Sequence, residues 1–439
     1  MSIAVTQPES RPPGTTPVAS EVTHRETIKV VWRAFWTSRL IVLAAGVYGA
    51  LQVGTAPGYR QYDPYNLTAP SSYLGNLILG PFARWDSVWY LRIAAHGYDN
   101  RPQRTAFFPL YPVLIRLGHY VVRSYLLSGI LVSLLSFAIA LYFLYKLVSI
   151  DFGREVAGVA VALLAFFPYS FFFSAVYTES LFLALSIAAI YYARVGRWAV
   201  AAVLGAFAAA TRNTGVLLLV PLILMFLYGP REATALTSGW VKDAGWRRWL
   251  PKYRPTRKLL WALVVPLGLF AFLGYLWATT GSPFTTLHVQ GFWNRSTVGP
   301  ILGIVDGVVD ALDGVRQAIH GPGQLFVAPG GAAPLYNTGI DLMLFAFFLL
   351  GVVAAIGAIR RLPVAYSIYA LAALLVPLST PVLRVPFNSL PRFELVMFPL
   401  FIWGADYLVR KRAVYIGIGM LASTLGLFTM MFATWHFIG

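Results

Sequence analysis

The chain has 439 residues, of which 58% are apolar and only 12% charged, with a mean hydropathy of +0.67. A soluble domain carries about 25% charged residues, so this composition excludes an ordinary cytosolic globular protein and a disordered chain. It indicates an all-α polytopic membrane protein. Cys is absent, which removes a disulfide framework, a thiolate zinc site and a cysteine nucleophile, and the net charge of +17 fits basic loops facing anionic lipid better than nucleic acid.

Residues 1–26 are rich in Pro, Thr, Ser and charge and lack apolar periodicity, so they read as a disordered cytoplasmic tail. Apolar stretches then recur at 37–53, 125–148, 156–176, 179–194, 198–211, 214–228, 259–279, 337–359, 364–383, 393–409 and 413–436. A full span needs about 20 residues, and several of these are short. Loop 229–258 concentrates Arg and Lys, as do Arg360–Arg361, Arg410–Lys411–Arg412 and the flank holding Arg25, Lys29, Arg33 and Arg39. Placing all of these in the cytoplasm obeys the positive-inside rule. With stretch 105–122 interfacial or re-entrant, the chain makes about eleven crossings. Segments 54–124 and 280–336 then face the exterior, joined there by turns at Arg212–Asn213 and 384–392. If 105–122 spans instead, 198–211 and 214–228 must fuse.

The first exterior segment contains Arg84-Trp85-Asp86-Ser87-Val88-Trp89-Tyr90-Leu91-Arg92-Ile93-Ala94-Ala95-His96-Gly97-Tyr98. Helical spacing puts Trp85, Trp89, Arg92 and His96 along adjoining faces, with Gly97 as a stop. One reading is an interfacial helix with aromatic anchors and Asp86 on the helix dipole. The other is a site. Arg84, Arg92, Arg101 and Arg104 lie on the outer side against the charge rule, which suggests an anionic partner such as a phosphate.

Further along, Tyr177-Thr178-Glu179 opens an apolar helix, where capping by Thr178 competes with a functional Glu179. Arg212-Asn213 interrupts two membrane stretches. It either snorkels to headgroups or serves function. His288, Gln290, Trp293 and Arg295 share one loop, and Arg392 and Glu394 follow Pro391 at an outer helix start. The stretch 301–319 is amphipathic, with Asp306, Asp310 and Asp313 on a solvated face rather than at a metal site. Phosphate-binding glycine loops, zincin motifs and an Asp-x-Asp pair are absent, so no cofactor and no metal is expected.

RWDSVWYLRIAAHGY, AFFPLYP, FFFSAVYTESLF, AAATRNTG, QGFWNRSTVGP and SLPRFELVMFPLF, in that order, resemble the PIG-V-like mannosyltransferases of the GT-C superfamily of membrane glycosyltransferases. Trp89 stands where the eukaryotic pattern WD-x-V-H has His. The resemblance implies a GT-C-type fold and an inverting transferase. Such an enzyme moves a mannosyl residue from a polyprenyl-phosphate sugar donor to a glycan or glycolipid acceptor at the outer or lumenal membrane face; for this chain the expected place is a bacterial plasma membrane with the site on its exterior face. It makes Asp86 the general base. Arg212, Arg295, Arg392, Arg84 and Arg92 become candidates for the leaving phosphate, and Glu179 for sugar or acceptor hydroxyls. Trp85, Tyr177 and Trp293 would stack on sugar or isoprenoid, and His96, Tyr98, Asn213 and Gln290 complete the expected binding set. Two alternatives stand beside it: a transferase of another lipid-linked sugar, and a lipid-linked glycan flippase or exporter.

Overall fold

The computed structural model describes residues 24–56, 58–99, 101–231, 252–320, 334–383 and 385–438. The tail expected over 1–26 lies outside the described residues up to Thr23, as does most of the basic loop 229–258. Among the described residues the architecture is helical, broken only by isolated bridges at Arg295–Val382 and Val382–Val385.

The helices, in chain order, are α1 (His24–Gln52), α2 (Tyr73–Leu79), α3 (Ser87–His96), α4 (Leu110–Val122), α5 (Tyr125–Phe152), α6 (Arg154–Phe166), α7 (Glu179–Arg194) and α8 (Trp198–Thr211). They continue with α9 (Leu219–Tyr228), α10 (Leu267–Thr280), α11 (Pro300–His320), α12 (Pro334–Arg361), α13 (Val364–Ser379), α14 (Leu390–Glu394), α15 (Phe398–Lys411) and α16 (Val414–Ala433). Among the described residues, five stretches are long and apolar enough to cross a membrane: His24–Gln52, Tyr125–Phe152, Arg257–Thr280, Gly339–Arg361 and Val414–Ala433. At about 1.5 Å per residue, helices such as α7 with 16 residues and α8 with 14 fall short of a ~30 Å hydrocarbon core. Helix length therefore does not fix the expected count of about eleven spans.

Several boundaries have a local cause. The stretch expected as one helix over 156–176 stops at Phe166, because Pro168 disfavours helical geometry at Phe167, whose ψ is 140°. A 3₁₀ turn, Ser170–Phe173, then carries the chain toward α7. The stretch expected over 393–409 is likewise interrupted, and α15 restarts with Pro399 in its first turn. α4 has 13 residues and packs on α5 through the Tyr111 hydroxyl, which donates to the Gly129 carbonyl at 3.0 Å. Gly97 ends α3 with φ +75°, the conformation that favours glycine.

The core forms where α5 and α7 pair, with α6 and α8 flanking them and α16 against α1. Small residues permit the closest approaches. A Cβ on Gly268 would sit 1.8 Å from the Ala206 carbonyl oxygen, so α10 meets α8 backbone to backbone. Arg39 departs from the expected cytoplasmic flank. It is buried in α1, and its guanidinium donates to the Ser170 carbonyl at 2.7 Å and the Ser174 hydroxyl at 2.8 Å, fastening α1 to the turn before α7.

Candidate active site

α3 begins at a sharp corner. Trp85 has φ +52°, and Asp86 occupies the N-cap position of α3, yet its carboxylate caps nothing. It is turned instead toward Arg392, whose Nη1 donates to Asp86 Oδ2 at 2.7 Å. The corner is held from behind by Tyr177. Its hydroxyl donates to the Arg84 carbonyl at 3.1 Å and accepts from the Asp86 backbone N–H at 3.1 Å. Burial pushes the Tyr177 phenol well above its ordinary range, so the proton needed for that donation stays in place.

Glu179 opens α7. Thr178 does not cap it, since the Thr178 hydroxyl faces the Tyr90 hydroxyl at 3.5 Å. The Glu179 carboxylate is fully buried. Its Oε1 accepts from Arg392 Nε at 2.5 Å and from Arg212 Nη1 at 2.9 Å, while Oε2 has no hydrogen-bond partner. Arg392 thus bridges two acids from separate parts of the chain. Burial disfavours its charge, but the facing Glu179 and Asp86 carboxylates outweigh that and hold the guanidinium well above its ordinary range. Arg392 and Glu394 are both turned inward rather than toward bulk solvent. Pro391 does sit in the first turn of α14.

These groups stand at one cavity of about 1220 Å³, more than the few hundred to a thousand Å³ that a drug-sized ligand takes. Asp86, Arg212, Asn213, Arg295 and Arg392 line it, as do Trp85, Trp89, Arg92, Tyr177, Gln290 and Trp293. Arg295 donates to the Thr380 carbonyl at 3.4 Å. Its pKa is lowered to about 10, by burial first and by the like-charged Arg392 second. One aromatic wall joins Trp89, Phe107 and Trp293, with ring centroids 5.6–6.0 Å apart. A second aromatic cluster joins the lining residues Tyr62 and Trp85 to Trp435.

Four expected site residues stand elsewhere. Glu179 lies behind the cavity wall and orients arginines rather than facing a ligand. Arg84 points away from the cavity. Its Nε donates to the Ala433 carbonyl at 2.8 Å and its Nη1 to the Gly80 and Ala83 carbonyls, so its charge is spent tying the corner to the end of α16. Burial lowers its pKa to about 10, with Asp63 opposing. His96 is exposed at the far end of α3. Tyr98 is occupied by a hydrogen bond to the Phe107 carbonyl at 2.6 Å and by ring contacts with Phe272 and Tyr275. Of the four outer arginines, Arg92, Arg101 and Arg104 line this same cavity, with Arg104 paired to Asp99 and Arg92 over the Tyr65 ring at 4.2 Å, whereas Arg84 does not.

Sequence reasoning missed the contribution of Trp435, Phe437 and Ile438. Trp435 packs on Trp85, and Phe437 and Ile438 line the cavity, anchored where Tyr169 donates to the Ile438 carbonyl. No motif marks them, because their placement follows from α16 returning alongside α1. Among the described residues no three His, Asp or Glu gather as a group that could hold a metal ion.

Residues 40–228 match the family model described as mannosyltransferase (PIG-V). GPI mannosyltransferase 2 of Cryptococcus neoformans var. neoformans serotype D (strain JEC21 / ATCC MYA-565) is 30% identical over 203 residues, covering 43% of this chain and 47% of that protein. GPI alpha-1,6-mannosyltransferase 2 of Homo sapiens is 30% identical over 162 residues, covering 34% of this chain and 33% of that protein. The chain therefore spans less than half the length of these curated relatives. A crystal structure of the Archaeoglobus fulgidus oligosaccharyltransferase with zinc and sulfate aligns with a TM-score of 0.48 at 12% identity, covering 93% of this chain and 53% of that one. The family match holds Asp86, Tyr177, Glu179 and Arg212, whereas Arg295 and Arg392 join them from beyond it. The resemblance carried by RWDSVWYLRIAAHGY, AFFPLYP, FFFSAVYTESLF and AAATRNTG is thereby borne out over residues 40–228, which are similar to the mannosyltransferase (PIG-V) family, while QGFWNRSTVGP and SLPRFELVMFPLF lie beyond the matched residues.

Proposed function

We propose that this chain is a membrane mannosyltransferase that moves a mannosyl residue, with inversion, from a polyprenyl-phosphate sugar to a hydroxyl of a lipid-linked or surface glycan. The reading places a GT-C-type fold of about eleven crossings in a bacterial plasma membrane, with the cavity open to the exterior. One observation carries it. A cavity-facing carboxylate, Asp86, stands 2.7 Å from Arg392 on a wall that also holds Arg212 and Arg295. A base beside a cluster of guanidinium groups is what transfer from a phosphate leaving group requires.

The step balances as follows. Asp86 takes the proton of the acceptor hydroxyl while that oxygen attacks the anomeric carbon. The bond from the anomeric carbon to the phosphate oxygen breaks, and its electron pair leaves with the oxygen. The lipid phosphate goes from one negative charge to two. Arg212, Arg295 and Arg392 stabilise the charge as it develops. The aromatic walls of Trp89, Trp293 and Trp85 supply flat apolar faces for sugar rings or isoprenoid. Glu179 is a positioning residue that aims two of the three arginines.

The test is product analysis. Purified protein in detergent, given polyprenyl-phosphate mannose and lipid acceptors, is expected to yield a mannosylated lipid and free polyprenyl phosphate by mass spectrometry. Absence of both products, with the Asp86→Asn protein as control, refutes the transfer. Sidedness is tested separately. In this Cys-free chain, cysteines at Ser71 and Ser282 are expected to react with an impermeant thiol reagent on intact cells, and one at Ser238 only after lysis.

A further inference from the structure

We propose that Arg392 is handed from Asp86 to the donor phosphate, so that Asp86 becomes available to an acceptor hydroxyl only after the donor is seated. The inference rests on the transferase reading above and adds an order of binding to it.

Arg392 is built for a handover. Its Nε is fixed by the buried Glu179 at 2.5 Å, while its Nη1 reaches forward to Asp86 at 2.7 Å. One edge of the guanidinium is therefore anchored and the other is committed to a group in the cavity. The two ends differ in burial. The Glu179 side chain is fully buried, the Asp86 side chain is 28% exposed and Arg392 is 14% exposed. The Asp86 carboxylate has only Arg392 as a hydrogen-bond partner among the described residues. Its other ionisable neighbours are Arg295, Tyr90 and Tyr177, with Glu179 beyond Arg392. In this state the base is occupied by the very cation that the phosphate needs. A guanidinium matches phosphate oxygens in a bidentate fork, so a phosphate arriving in the cavity competes directly for the forward edge.

Charge counting supports the exchange. Arg212, Arg295 and Arg392 against Asp86 and Glu179 leave one positive charge, and Arg92 and Arg101 on the same cavity add to it, so the site attracts the negative charge of a lipid phosphodiester. Once Asp86 has taken the acceptor proton, the cluster carries two positive charges and the product phosphate two negative ones. Arg392 then has no reason to return to Asp86 until the lipid phosphate departs and the proton is released.

The test is equilibrium binding of polyprenyl monophosphate in detergent, read by quenching of the cavity tryptophans. Four proteins are compared: wild type, Asp86→Asn, Arg392→Gln and the double variant. Asp86→Asn is expected to bind about tenfold more tightly than wild type, within the usual 5- to 150-fold range of site coupling. In the Arg392→Gln background the same substitution is expected to change affinity less than about twofold. No tightening in Asp86→Asn overturns the handover. Equal tightening in both backgrounds also overturns it, since that outcome reports bulk charge only. If Arg392→Gln does not fold, Arg392→Lys takes its place, because it keeps the charge but cannot hold Glu179 and Asp86 together. If wild type shows no binding, the donor reading itself falls, an outcome distinct from binding without coupling.

Discussion

Two ionic clusters in this molecule use the same side-chain types to opposite ends. In the interior, Arg194 Nε donates to Asp151 Oδ1 at 2.8 Å and the Tyr366 hydroxyl donates to Asp151 Oδ2 at 2.7 Å, with both charged side chains fully buried. Both oxygens of that carboxylate are satisfied, and the cluster joins the ends of α5 and α7 to the start of α13. At the cavity, the Asp86 carboxylate has one engaged oxygen and 28% exposure, and its partner Arg392 is shared with Glu179. The first arrangement leaves no valence for a ligand. The second leaves an acid and a row of cations facing open space. Saturation of the hydrogen bonds, rather than the presence of charge, separates a structural cluster from one fitted for chemistry.

The largest expected effect breaks the comparison at its open end. Asp86→Asn keeps the shape of the side chain and removes its basicity, so turnover in the proposed transfer is expected to fall about 10²–10⁴-fold. The unfolding midpoint should stay near wild type. Turnover within threefold of wild type would remove Asp86 from the chemistry.

Asp151→Asn probes the closed end. It leaves the buried Arg194 guanidinium facing a neutral amide, which is expected to cost about 3–5 kcal/mol of stability. Turnover per folded molecule should be unchanged, because none of these groups reaches the cavity. Unfolding followed by helix content, alongside a specific-activity assay, separates the two quantities.

Arg212→Ala sharpens the division of labour within the open cluster. Glu179 keeps Arg392 as its partner, so the fold should persist. One cation proposed to face the donor phosphate is lost, and donor KM is expected to rise about tenfold, or about 1.4 kcal/mol, with acceptor KM unmoved. An equal rise for both substrates would make Arg212 a part of the general scaffold.

The sequence makes visible those features that depend on neighbours along the chain. The breaks at Glu179, Arg194, Trp198 and Thr211 fall where apolar runs meet charge, and α7 and α8 begin and end there. The stop at Gly97 is also local. What is not legible depends on which distant residue arrives. Arg84 and Arg392 are both arginines at an outer boundary. One is absorbed by carbonyls at Gly80, Ala83 and Ala433, and the other is drawn between two acids. Glu179 reads as a ligand contact because an acid at an outer helix start would ordinarily be exposed, but Arg212 and Arg392 close over it. Span lengths are equally hidden, since hydropathy runs on through Phe167 and Pro168 while the backbone turns.

A third ion pair sets the lower limit of the comparison. Arg410 Nη2 meets Asp406 Oδ2 at 2.7 Å, one turn apart on α15, with side-chain exposures of 39% and 21%. Water competes for both groups, and two long side chains must be ordered to make the contact. Pairs at this spacing contribute about 0.3–0.5 kcal/mol, far less than breaking the buried Asp151–Arg194 pair costs. Asp406→Ala is therefore expected to lower stability by no more than about 0.5 kcal/mol and to leave turnover unchanged. The loss should shrink further in high salt, where exposed pairs are screened. A loss above about 1.5 kcal/mol would mean that partial exposure does not weaken ion pairs in this protein, and the contrast drawn between the open and closed clusters would have to rest on geometry alone.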